Sequence, residues 1–118
     1  MATPVGPYTP IVRAGDWLVV SGQVGILDGK LVGGGTEGEL RQAIANLSAL
    51  LESEGASLRD VTKTTVFLRH LGGDYPTMNQ VYMELFGDHR PARSAVGVAE
   101  LPLGELVEVE AWALVGAG

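Results

Sequence analysis

Arg93 lies in the segment Pro91-Ala92-Arg93-Ser94, at the start of an expected strand, with small neighbours Ala92, Ser94, Ala95 and Gly97 that leave space around its guanidinium. Such a planar fork is the side chain best matched to a carboxylate or phosphate on a small ligand. On spacing alone, a surface arginine paired with one of the fourteen acids is the commoner case. Glu108 and Glu110 stand two apart in a strand, so they point to one side, the side that also carries Trp112. A carboxylate there can hold and deprotonate a water once partial burial moves its pKa towards neutrality. A pair of solvated charges on a half-exposed strand is the alternative, and the flanking Val, Ala and Trp residues weaken it.

Weaker signals surround these. Gly6-Pro7-Tyr8 offers a ring that can close a pocket, and Ser21-Gly22-Gln23 a hydroxyl that can donate to a ligand oxygen. His70 and His89 are isolated, in or beside loops, and are expected to be solvated. The chain has no cysteine, which removes disulfides, thiolate metal sites and cysteine nucleophiles together, and two lone histidines do not make a zinc set. No metal and no cofactor is expected. Gly33-Gly34-Gly35 precedes a helix, as a phosphate cradle does, but has neither GxGxxG nor GxxxxGK[ST] spacing and reads as a hinge.

The elements that must position these residues follow from periodicity. Residues 11–13 and 17–23 are short β-branched segments separated by Ala14-Gly15-Asp16, which predicts two strands and a tight turn. A weak third strand is expected near residues 30–32, after the Asp28-Gly29 turn signal. From Thr36 the period becomes 3.6, with Leu40, Ala43, Ile44, Leu47, Leu50 and Leu51 on one face. Thr36 and Glu39 predict a capping box, and Gly55 a left-handed C-cap. Residues 61–69 alternate as a strand. A second helix is expected to begin near Pro76, with Met78, Val81, Tyr82, Leu85 and Phe86 lining one face to Gly87 and Asn79 off that stripe. Strands over 92–99 and 106–115, joined by Leu101-Pro102-Leu103-Gly104, complete the order β-β-(β)-α-β-α-β-β.

That order predicts an α+β fold, a single mixed sheet with two helices packed on one face. Its other face carries Leu106, Trp112 and Leu114 beside Glu108 and Glu110, and Trp17 and Val19 add to it. Apolar groups on an uncovered face imply a homo-oligomer. At 118 residues, with 46% apolar and 19% charged, the chain is expected to form one domain over 1–118. A net charge of −6 has the wrong sign for gripping phosphate backbones, so no nucleic-acid partner is expected. The N-terminal residues lack a basic and apolar leader and no apolar run is long enough to span a bilayer, so no membrane is expected and a cytoplasmic location is.

Taken in order, Gly6-Pro7-Tyr8, Ser21-Gly22-Gln23, residues 60–68 (DVTKTTVFL), Asn79 with Tyr82, Pro91-Ala92-Arg93-Ser94, and Leu101-Pro102 followed by residues 107–111 (VEVEA) resemble the RidA family, also called YjgF/YER057c/UK114. The resemblance runs from about Gly6 to Ala113. It implies a chorismate-mutase-like fold assembled as a homotrimer with pockets between subunits. It also implies hydrolysis of reactive enamine and imine acids, such as 2-aminoacrylate, to 2-oxo acids and ammonia. Arg93 then matches the arginine that binds the substrate carboxylate and Glu108 the acid that positions the attacking water, while Tyr8, Ser21 and Asn79 match pocket residues. Ala95 stands where many deaminase members have cysteine, the loop from Gly87 to Arg93 is shorter than theirs, and Gly97 replaces a larger side chain. These departures bear on pocket shape and substrate range. The alternatives are a small-carboxylate sensor or holdase-like binding protein, which needs Arg93 but not Glu108, and a related small-molecule step in pyrimidine breakdown. Endoribonuclease activity, attributed to relatives, gains no support from the charge.

Overall fold

The computed structural model describes residues 6–115. The stretch Met1–Val5, read above for a leader, lies outside them. Strand β1 (Ile11–Ala14) turns through Gly15, at φ 61°, into β2 (Trp17–Gln23), with Ala14 opposite Trp17. Asp28 and Gly29, both at positive φ, form the two-residue turn between β3 (Ile26–Leu27) and β4 (Lys30–Leu31). The expected third strand is thus β4, paired with β3 in a separate two-stranded ribbon. The main sheet holds the other five strands in the order β1-β2-β7-β5-β6, where β5 is Val61–Leu68, β6 Ala92–Gly97 and β7 Val107–Leu114. Only β5 and β6 run parallel, the crossover between them being helix α2 (Leu71–Phe86).

Helix α1 (Gly35–Ser53) buries the face its periodicity predicts, with Leu40, Ala43, Ile44, Leu47, Leu50 and Leu51 in the core. Its C-terminus closes around Gly55 at φ 77°, whose amide bonds to Glu52 O while that of Ala56 bonds to Leu51 O. The capping box does not form. Gly34 caps the helix in a left-handed conformation without a side-chain bond. Thr36 Oγ1 instead donates to Asp74 Oδ2 at 2.6 Å, and Glu39 Oε1 accepts from the Leu106 amide at 2.8 Å. Tertiary partners took both side chains that local capping would have used.

The Thr36–Asp74 bond also accounts for a second difference. Helix α2 starts at Leu71, so Pro76 lies inside it. Its first turn, with Gly72 and Gly73, has poor helix propensity, and contact with the start of α1 holds it. Both helices cover one face of the sheet, where Val107, Val109, Ala111 and Ala113 of β7 are fully buried. The other face carries Val19, Phe67 and Val96, and Trp17 meets Trp112 edge-on at 6.0 Å. Trp112 is 46% exposed there. No helix among the described residues is long and apolar enough to cross a membrane.

Candidate active site

The strand register puts the two strongest chemical candidates on opposite faces of the sheet. Arg93 pairs with Thr64, which also pairs with Ala111, so it belongs to the helix-covered face. Glu108 pairs with Phe67 and belongs to the open face, as does Glu110, opposite Thr65.

On the helix side, Arg93 Nη1 donates to Asn79 Oδ1 at 2.8 Å and Nη2 to Tyr75 OH at 3.2 Å. Its guanidinium carbon lies 5.7 Å from the Tyr75 ring centre and 5.1 Å from that of Tyr82. Tyr75, Asn79 and Tyr82 are spaced i, i+4, i+7, one face of α2. Tyr82 is fixed in turn by a 2.5 Å hydrogen bond with Thr64 and by stacking on Phe86 at 4.5 Å. Burial raises its pKa, so it stays neutral beside the arginine. Among the described residues Arg93 has no carboxylate partner, unlike Arg13 and Arg41, which pair with Glu54, Glu37 and Glu84. The surface ion pair that spacing alone favoured is therefore absent.

On the other side a groove runs between the end of β2, the β3–β4 ribbon, α1 and the turn before β7. Tyr8, Ser21, Gly22, Glu105, Glu108 and Glu110 line it. Gly22 has a specific reason to lack a side chain: a Cβ there would lie 2.6 Å from Glu108 Cδ. Glu108 is half-buried, and burial first, then the charge of Glu110, raises its pKa. Ser21 Oγ donates to Thr9 O at 2.7 Å, so this hydroxyl ties down the segment before β1 that carries Tyr8. Tyr8 itself is 44% exposed at the groove edge.

Tyr8, Ser21 and Glu108 thus share one groove, and Asn79 joins Arg93 on the opposite face. Three further residues were not singled out from sequence. Tyr75 precedes a proline that masked the helix start. Glu39 has the spacing of a capping-box residue, which hides its tertiary role. Glu105 follows a turn, where no periodicity speaks; Leu103 and Gly104, at φ 61° and 72°, fold it inward. It is 1% exposed, Oε2 has no hydrogen-bond partner among the described residues, and burial with the charges of Glu108 and Glu39 raises its pKa to about 7. His89 is not simply solvated, because its Nε2 lies 2.6 Å from Val61 O.

Residues 1–115 match the family model for Endoribonuclease L-PSP. The chain belongs to that family. A RutC family protein of Pyrococcus horikoshii is 44% identical over 110 residues, covering 92% of this chain and 86% of its own. A 2-iminobutanoate/2-iminopropanoate deaminase of Dermatophagoides farinae is 41% identical over 109 residues, 91% and 84% of the two chains. The crystal structure of RidA from an Antarctic Psychrobacter superposes with a TM-score of 0.92 at 35% identity, over 96% and 92%. These relatives bear out the RidA resemblance drawn from the ordered motifs, and with it the α+β arrangement of two helices on a mixed sheet. In this L-PSP/RidA chain, Arg93 and Glu108 lie on the two faces of one sheet.

Proposed function

We propose that the protein is a cofactor-independent deaminase that hydrolyses reactive 2-imino acids, and the enamines that tautomerise to them, to 2-oxo acids and ammonia. The observation that carries this reading is Arg93: a guanidinium held by Asn79 and two tyrosines, with no acid among the described residues to neutralise it. Such a fork is preorganised for a small carboxylate. The name of the mite relative supplies the reacting group, an imine beside that carboxylate. Because Glu108 faces away from Arg93 within one chain, both serve one substrate only when a second copy presents its Glu108 to the first copy's Arg93. The apolar open face gives copies a surface to bury, and a homotrimer with three shared pockets satisfies both conditions.

In such a pocket Arg93 binds the carboxylate and Asn79 keeps the fork aligned, while Tyr8 and Ser21 shape the opposite wall. Ionised Glu108 takes a proton from water as its oxygen adds to the imine carbon, and passes that proton to the nitrogen as the C=N electron pair moves onto it. Glu108, ionised again, then takes the carbinolamine hydroxyl proton and delivers it to the nitrogen, so that the C–N bond breaks, C=O forms and ammonia leaves. Water is the only co-reactant. The protein is proposed to act in the cytoplasm as a single domain of residues 1–118.

The test is release of ammonia and 2-oxo acid from a panel of freshly generated imino acids, with mass by light scattering alongside. We expect turnover and a mass near three times 12.4 kDa. A stable monomer at micromolar concentration would sink the shared pocket. Binding of small carboxylates without hydrolysis of any imine would make the protein a sensor.

A further inference from the structure

Among the described residues two buried carboxyls, Glu39 and Glu105, are left unused by the proposed reaction, and Glu105 is the more deeply buried. It sits where the turn after Leu101 delivers the chain into β7, 1% exposed and lining the same groove as Glu108. Two acids act on it from two elements: Glu39 from α1 and Glu108 from β7, with Glu110 acting in turn on Glu108. No Lys, Arg or His is among the described residues lining the groove. Gly25 allows this crowding, since a Cβ there would lie 2.6 Å from Glu39 Cα and hold α1 away.

The three carboxyls are not equivalent. Glu39 accepts the Leu106 amide at 2.8 Å, so its carboxyl has a hydrogen-bond partner. Glu108 is only half-buried and opens on the groove. Glu105 has a fully buried oxygen without a donor, the worst place in the cluster for a negative charge. Like charges sharing a poorly solvated site do not all ionise, and the proton is retained by the member whose charge is least well solvated and least well bonded.

We propose that Glu105 is a positioning residue for Glu108: buried with an unpartnered carboxyl oxygen in the groove that Glu108 also lines, it carries the cluster's proton and so leaves Glu108 as the ionised member facing the groove. The proposal rests on the water-activating role given to Glu108 above. It assigns the cluster a pH limit, because loss of the Glu105 proton adds a charge that raises the proton affinity of Glu108. The same limit marks folding. Glu105 binds its proton more tightly in the native than in the unfolded chain, so its contribution to stability is full below pH 4.5 and is lost as pH rises through about 7.

The test uses the full chain carrying carbon-13 in its glutamate carboxyls, titrated by NMR. We expect one resonance, absent in Glu105→Gln, with a midpoint near 7. Glu108→Gln and Glu39→Gln should each lower that midpoint by roughly half a pH unit or more, since each removes a like charge. Glu39→Gln keeps an oxygen for the Leu106 amide, so its effect is electrostatic. A purely structural Glu105 would not move with either partner. In parallel, wild-type turnover should show an inflection near pH 7 that Glu105→Gln lacks. A midpoint in the ordinary carboxylate range, or one that neither variant moves, overturns the proposal. Absence of imine hydrolysis with the titration as expected overturns the deaminase reading and leaves the shared proton standing.

Discussion

The two half-sites are built by different means. Around Arg93, side chains are paired: Asn79 and Tyr75 accept from the guanidinium, Tyr82 is bonded to Thr64, and a regular helix face presents all three residues of α2. Around Glu108, the chemistry comes from what is missing. A glycine makes room, burial withholds water, and neighbouring carboxylates withhold countercharge. In the proposed reaction the cationic half supplies a guanidinium fork held by its neighbours, and the acidic half a base whose pKa burial raises. Recognition is served by the first property and proton transfer by the second.

Breaking the acidic half should have the larger effect on turnover. Glu108→Gln keeps the shape and removes the base, so imine hydrolysis should fall by about a hundredfold or more, while affinity for a carboxylate analogue stays near wild type. In the wild type, turnover should fall on the acid side at a pH above the ordinary carboxylate range, because Glu108 must be ionised and its pKa is raised. A Glu108→Gln protein with intact turnover would refute water activation.

Breaking the cationic half should act on binding first. Arg93→Ala should weaken binding of a carboxylate analogue by about 1.5–3 kcal/mol, measured by calorimetry, and turnover should drop with it. Arg93→Lys should recover only part, since an ammonium keeps the charge but not the planar fork. The two variants together sharpen the comparison. If the halves of each pocket come from different copies, co-assembly of Arg93→Ala with Glu108→Gln restores roughly one site in four by random pairing. Pockets made within one chain would restore none.

The smallest effect is expected from Gly22→Ala. The added methyl would displace the Glu108 carboxylate, the mobile end of a side chain, so folding should survive while turnover falls about tenfold. Loss of the fold would mean that Gly22 serves the backbone rather than the base.

Legibility differed in the same way between the halves. Arg93 and Asn79 were both picked out from sequence, but Tyr75 was hidden because Gly72, Gly73 and Pro76 argue against a helix start at Leu71. Glu108 was readable from its alternation with buried valines. Glu105 was not, because a residue after a turn has no period and its burial depends on α1 packing from far away in the chain.

By itself the sequence determined the elements whose signals are local. Alternation set which residues within one strand share a side, the 3.6 period set the buried stripe of α1, Gly55 set its end, and Asp28-Gly29 set a two-residue turn. The ordered motifs set the family. Only the tertiary structure decided which side chains local rules would lose to distant partners: Thr36 to Asp74, Glu39 to the Leu106 amide, β4 to a ribbon apart from the main sheet. It also decided that Arg93 and Glu108 face away from each other, since the face of a strand residue is fixed only by the register with its neighbours and by which side the helices cover.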